Sequence, residues 1–326
     1  VTPRRSVLYM PGANERALEK AKTLPADALI FDLEDAVSPD AKESARERVC
    51  AAAASGDYGR HEIAIRVNGL DTEWHDADLR AAAQAGPAAV VVPKVSSARE
   101  VMAIERALEL NGAGEQTKIW AMLETPTAML RAEEIAAASE RLTVLVMGTN
   151  DLAKELHAET AAGRAPLVAG LSLALLAARA AGKQILDGVY NNVQDIAGFE
   201  AEATQSRQFG FDGKTLIHPA QIEPCNRVFA PSDEAIAWAR KVVSAFEAAQ
   251  RAGDAVVTVD GRMVESLHVA EAERVLALAG AIDETGAKTA STANTADTAD
   301  TAGQAEETAA ADDESTAENE AAAAEK

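Results

Sequence analysis

Glu124 and Asp151 each stand just past an apolar, strand-like run, IWAML before the first and LTVLVMGTN before the second, with one helical segment between them. In a sheet or barrel of parallel strands this spacing brings both carboxylates to one rim, where two hard oxygen ligands can share a divalent cation. A plainer reading has one acid capping the next helix and the other merely solvated on the rim. The ends of the neighbouring runs weigh for chemistry, because they add Asp32, Glu34, Asp35, Arg66, Asn68, Lys94, Tyr190, Asn191 and His218. Asp32 and Lys94 could pair within the rim, and His218, before Pro219, could be a hydrogen-bonded core imidazole. Arg66 differs: a guanidinium ending the run EIAIRV is costly to leave unpaired and suits a bidentate carboxylate of a ligand.

The metal follows from the ligand types. The five histidines are scattered and no HExxH helix occurs, which argues against a zinc hydrolase. Carboxylate oxygens with open water positions favour Mg2+, with Mn2+ as a substitute. A serine hydrolase is also excluded, since the nearest approach to GxSxG is GLSLA at Gly170, inside a helical run and lacking the second glycine.

The elements that must position these groups alternate along the chain. Strand-like runs begin at Ser6, Ala28, Glu62, Ala89, Lys118, Leu142, Gln184 and Gly213, and alanine-rich stretches such as Ala98 to Leu110 and Pro166 to Ala181 carry apolar residues near helical spacing. Eight strand-helix units fit an α/β fold, a (β/α)8 TIM barrel, better than an open doubly wound sheet, although periodicity alone leaves closure open. The turn PGANERA after the first strand supplies one glycine where a dinucleotide fingerprint needs three. After Pro231 the pattern changes to a helix through Ala249, a short strand AVVTVDG and a helix from Ser266 to Ala279. The expected domains are a catalytic barrel over 1–230, a lid or oligomerisation segment over 231–282 and a disordered acidic tail over 283–326. That tail holds twelve acids against two lysines and no large apolar side chain, so it cannot offset chain entropy by burial. It is read as a solubilising tail, with a docking tail as the alternative.

The 326 residues are 48 % hydrophobic, ample for a sizeable core. A net charge of -21 argues against a nucleic-acid or anionic-membrane partner, which demands a basic face. Two cysteines, Cys50 and Cys225, without CxxC spacing, and the lack of a membrane-length apolar run or leader pattern, place the chain in the cytoplasm.

RSVLYMPG at Arg5, FDLEDAV at Phe31, IRVNG at Ile65, VPK at Val92, LETP at Leu123, DLA at Asp151, DGVY at Asp187 and GFDGKTLIHPAQI at Gly210, in this order, resemble the citrate lyase beta subunit-like family of the HpcH/HpaI aldolase superfamily. The resemblance covers nearly all of the first 282 positions. It implies a magnesium-dependent barrel acting on a 3-hydroxyacyl-CoA thioester, as a homotrimer or homohexamer with the lid shared between subunits. By the same resemblance Glu124 and Asp151 correspond to metal ligands, with Glu124 also near the substrate, and Arg66 to the residue binding the acid end. Glu34 and Asp35 correspond to groups that orient water on the metal, while Arg5, Arg16 and Lys20 are candidates for the CoA phosphates. The family's proton-transfer aspartate, from a GxMID-type segment of a neighbouring subunit, is replaced by Glu265 in GRMVESLH. One extra methylene changes whether that carboxylate protonates an enolate carbon or activates water at the thioester. The wording MGTNDLAKEL, DGVYN and VESLH is most similar to the malyl-CoA thioesterase branch, which implies hydrolysis of (3S)-malyl-CoA to malate and CoA. The alternatives are carbon-carbon cleavage of malyl-CoA, methylmalyl-CoA, citramalyl-CoA or a citryl thioester to a 2-oxo acid and acyl-CoA, action on acyl groups carried by a partner protein, and a non-catalytic acidic scaffold.

Overall fold

The computed structural model describes residues 2–161, 163–252 and 256–284. Eight parallel strands close into a barrel in sequence order: β1 (Ser6–Pro11), β2 (Ala28–Asp32), β3 (Glu62–Arg66), β4 (Ala89–Val92), β5 (Lys118–Leu123), β6 (Leu142–Met147), β7 (Gln184–Asp187) and β8 (Gly213–Leu216). Closure, which periodicity leaves open, comes from β8 pairing in parallel with β1, Ser6 to Leu8 against Lys214 to Leu216. The protein is a (β/α)8 TIM barrel.

Every strand is covered on both faces, which is why each reads as a nearly unbroken apolar run rather than an alternating one. Val7, Ile30, Val91, Met122 and Val146 fill the barrel interior with Tyr9 packed on them. The alternate residues, such as Leu8, Leu29 and Phe31, face the helices. Those helices are α1 (Glu15–Ala21), α2 (Lys42–Ala54), α3 (His75–Ala85), α4 (Ala98–Leu110), α5 (Pro126–Leu130), α6 (Ala132–Ala136), α7 (Thr149–Glu155), α8 (Val168–Ala180), α9 (Ile196–Phe209) and α10 (Ile222–Phe229). In α4 the apolar spacing buries Val101, Ile104 and Leu108, and the Ser97 side chain caps the first turn by accepting from Glu100 N. Burial of each such side chain contributes about 1.5–3 kcal/mol. The segment between β5 and β6 is two short helices rather than one, because Arg131 between them leaves the helical region with φ -115 and ψ 15.

The chain parts into two compact units, Thr2–Ser232 and a second from Asp233 onward. The second holds α11 (Asp233–Ala252), β9 (Val257–Val259), β10 (Arg262–Val264) and a helical run over 266–284. Its own core is built on Val242, Phe246, Val264 and Ala272. Where the sequence reads one short strand there is an antiparallel hairpin, turning at Asp260 and Gly261, both at positive φ. An Asp-Gly pair suits such a two-residue turn, because both central positions are left-handed. The acidic stretch from 285 to 326, expected to be disordered, lies outside the described residues. Among the described residues no helix is long and apolar enough to cross a membrane.

Candidate active site

A cavity of ≈ 370 Å³ opens at the carboxyl ends of the strands, lined by Tyr9, Asp32, Arg66, Met122, Glu124 and Asp151, with Asp35, Asn191 and others around its rim. Glu124 follows β5 and is only 2 % exposed. Its Oε1 accepts the Lys94 backbone N–H at 2.7 Å. That N–H is aimed by a left-handed Lys94, φ 54, a conformation a lysine adopts at a cost of roughly 1–2 kcal/mol. The carboxylate also packs on Gly148, where any Cβ would overlap the Glu124 Cβ and Oε2. Gly148 opens α7, and Asp151 lies in that helix's first turn, where the helix dipole favours an anion. Neither acid is a helix cap, since Thr125 caps α5 and Gly148 stands at the N-cap of α7.

Arg66 ends β3 and Asp32 ends the adjacent β2. The guanidinium forks onto that carboxylate, Nε donating to Oδ1 at 2.6 Å and Nη2 to Oδ2 at 2.7 Å. Nη1 lies 2.7 Å from Glu34 Oε2 and 3.7 Å from Asp35 Oδ2. Asp32 further accepts the Glu34 and Ala36 backbone N–H groups, so FDLEDA is a loop folded around one carboxylate. The expected Asp32–Lys94 pair is therefore corrected: Asp32 takes Arg66, which lies beside it in register. The Arg66 fork is likewise committed to a protein carboxylate, and only its remaining N–H groups are left for a ligand.

Electrostatics at the mouth show an excess of acid. Burial, and then the neighbouring Asp151 carboxylate, push the Glu124 carboxyl up to about 7 against the Lys94 N–H. Burial, with Asp35, Glu124 and Asp32 nearby, likewise raises Glu34 to about 7 against Arg66. The Lys94 ammonium is desolvated, yet Asp151, Glu34 and Glu124 raise its pKa overall. This is the environment a divalent cation relieves. Among the described residues no cluster of three or more His, Cys, Asp or Glu could hold a metal. Two carboxylates with the other positions left to water or substrate is the manner in which magnesium is commonly held, so the residues fit that ion.

Other groups lie where spacing gave no signal. Lys42, at the start of α2, is buried, and its Nζ donates to Leu33 O at 2.8 Å, Glu34 O at 2.7 Å and Asn68 Oδ1 at 2.7 Å. Asn68 in turn donates to Leu33 O and Asp78, which ties the loops after β2 and β3 together. Spacing singles out no role for Lys42, because its acceptors are two backbone carbonyls of the loop after β2 and a side-chain amide of the loop after β3. Asp187 of DGVY and Lys214 of GKT form a fully buried pair at 2.7 Å, joined by Arg164. Despite burial, these cations hold the Asp187 carboxyl below its usual range. They secure the β7 end beside the cavity. His218 is an exposed cap that accepts from Ala220 N at 3.1 Å, not a core imidazole.

Of the residues singled out from sequence, Glu124, Asp151, Arg66 and Asp35 meet in the cavity, with Glu34 against Arg66. Arg16 and Lys20 are exposed one turn apart on α1, past the carboxyl end of β1. Arg5 is corrected: it precedes β1, at the opposite end of the barrel, and forks onto Asp27 with Nη2 2.8 Å from Oδ1. Glu265 belongs to the second unit, where it follows β10 and its N–H donates to His268 Nδ1 at 3.1 Å. Lys94, one of the strand-end residues read from sequence, holds Glu124 through its backbone N–H, and Tyr9, which gave no signal in sequence, completes the lining from within β1.

Residues 5–219 match the model of the family described as HpcH/HpaI aldolase/citrate lyase. The chain is 52 % identical over 280 residues, 86 % of its length and 96 % of the relative's, to a protein of Cereibacter sphaeroides named (3S)-malyl-CoA thioesterase. It is 40 % identical over 281 residues, 85 % of its length and 93 % of the relative's, to the citrate lyase subunit beta of Escherichia coli strain K12. Among solved structures, CitE from Mycobacterium tuberculosis in complex with magnesium, acetoacetate and coenzyme A superposes with a TM-score of 0.67 at 31 % identity, covering 84 % of this chain and 97 % of that one.

Proposed function

The chain belongs to the HpcH/HpaI aldolase/citrate lyase family, and on that premise we propose that it is a magnesium-dependent enzyme that hydrolyses (3S)-malyl-CoA to malate and CoA. The observation that carries this reading is the 52 % identity, over 96 % of the relative's length, to a protein named (3S)-malyl-CoA thioesterase. Glu124 and Asp151 would hold the magnesium. When bound, the ion neutralises the acid-rich mouth and polarises the oxygens of the acyl group.

The protein's own groups then have distinct tasks. Arg66 holds Asp32 and Glu34 in place and turns its remaining N–H groups toward the acid end of the acyl chain. Glu34 and Asp35 order water at the mouth, and Arg16 and Lys20 meet the CoA phosphates at the rim. Glu265 takes a proton from water as the water oxygen attacks the thioester carbonyl; the carbon–sulfur bond then breaks and Glu265 returns that proton to the CoA thiolate. We assign Glu265 to the site of a neighbouring subunit in a homotrimer or homohexamer. Thiols that are unpaired, Cys50 and Cys225, support a cytoplasmic location.

A second reading is supported by the 40 % identity to a citrate lyase subunit beta: retro-aldol cleavage, in which the hydroxyl loses its proton, the carbon–carbon bond breaks, and a 2-oxo acid and an acyl-CoA enolate result. Incubation of the purified chain with (3S)-malyl-CoA and magnesium separates the two. Malate with free CoA is expected, whereas stoichiometric glyoxylate with acetyl-CoA would replace hydrolysis by cleavage.

A further inference from the structure

The floor of the cavity carries a hydrogen-bond donor with no strong acceptor. Tyr9 points inward from β1, and its hydroxyl crosses the barrel to Met122 on β5, the strand diametrically opposite in the closed order. Met122 Sδ is its hydrogen-bond partner among the described residues, at 3.9 Å, and a thioether is a weak acceptor. The Arg66 guanidinium lies over the ring, 4.7 Å from its centroid. Burial, together with the nearby Glu124, Asp32 and Glu34, raises the phenol's pKa against the effect of Arg66, so the group stays a donor.

We propose that the Tyr9 hydroxyl receives the carboxylate at the far end of the acyl chain, and so selects an acyl group ending in an acid over one ending in a methyl. The inference rests on the reading of the chain as a (3S)-malyl-CoA enzyme. With the CoA phosphates met by Arg16 and Lys20 at the rim, the end of the acyl group remote from sulfur is the part that reaches the floor of the ≈ 370 Å³ cavity. There an incoming carboxylate meets Asp32, Glu34 and Glu124, and needs donors that add no further acid. Tyr9 O–H and the unused N–H groups of Arg66 are donors of that kind on the cavity wall. The partly buried Tyr9 hydroxyl lines the cavity with only a thioether to accept from it, and a substrate carboxylate oxygen is the stronger acceptor. A pocket built around such a donor rejects an analogue lacking the oxygen.

Tyr9→Phe keeps the ring and its packing and removes only the donor. For (3S)-malyl-CoA with magnesium, kcat/KM is expected to fall roughly ten- to hundredfold, the worth of one hydrogen bond to a charged group, through KM rather than kcat. For 3-hydroxybutyryl-CoA, which replaces the carboxylate by a methyl, the inhibition constant against malyl-CoA turnover should hardly move. Equal losses for both ligands would overturn the assignment and leave Tyr9 a packing residue, and so would no loss for either. A fall confined to kcat would overturn it too, placing the hydroxyl at the reacting atoms. A folded wild type that leaves malyl-CoA intact would instead overturn the proposed function, and this inference with it. Thermal melting of both proteins shows that the variant is folded.

Discussion

At the scale of single residues, the site concentrates carboxylates faster than it concentrates cations. If Glu124 and Asp151 hold magnesium, Glu124→Gln or Asp151→Asn should abolish magnesium-dependent turnover while leaving the melting temperature close to that of the wild type. Titration calorimetry should show the ion's binding lost as well; full activity of either variant at limiting magnesium would sink the assignment. Glu34 offers a test that needs no metal. Its carboxyl is raised from 4.5 to about 7, so the folded chain holds this proton more tightly than the unfolded one. Its contribution to stability is therefore complete below the unfolded pKa and is lost as pH rises through about 7. In chelator, Glu34→Gln should flatten the fall in stability between about pH 5 and pH 8 by on the order of 1–3 kcal/mol, read from denaturant melts. Parallel curves for the two proteins would show that Glu34 does not titrate in this window.

At the scale of elements, the site is assembled by what happens immediately after each strand. The end of β5 supplies Glu124, the turn after β4 supplies a left-handed N–H to hold it, and the end of β6 supplies a glycine on which it rests. Gly148→Ala places a methyl where the Glu124 side chain lies, so that side chain or α7 must move. We expect a destabilisation of about 1–3 kcal/mol, typical of overpacking, together with weaker magnesium binding. Unaltered metal affinity would show that Glu124 reaches the cation from another rotamer.

At the scale of the whole molecule, Glu265 and the barrel site belong to different units of the chain. Glu265→Ala should lower hydrolysis by roughly 10²–10⁴, the range of general acid–base catalysis, with magnesium binding retained. If the residue serves a neighbouring subunit, re-equilibrating a mixture of Glu265→Ala and Asp151→Asn proteins should restore activity that neither has alone, because some sites then receive both intact groups. No recovery would place the residue within its own chain's site or outside catalysis. Truncation after Glu284 should leave melting temperature and turnover unchanged, since the removed sequence has no large apolar side chain with which to anchor itself.

The sequence by itself determined the eight strands, the rim to which Glu124, Asp151 and Arg66 belong, and the family. Each of these rests on local pattern: apolar runs covered on both faces, and polar residues placed at their ends. Tertiary structure decided what those end residues touch. Asp32 meets Arg66 because β2 and β3 are neighbours in register, and Arg5 meets Asp27 at the other end of the barrel because β1 and β2 are paired. Lys42 is buried because three oxygens from two loops converge on it, and Tyr9 floors the cavity because closure sets β1 opposite β5. Partners brought together by strand pairing and barrel closure are separated by tens of residues, and a spacing rule reaches only as far as one element.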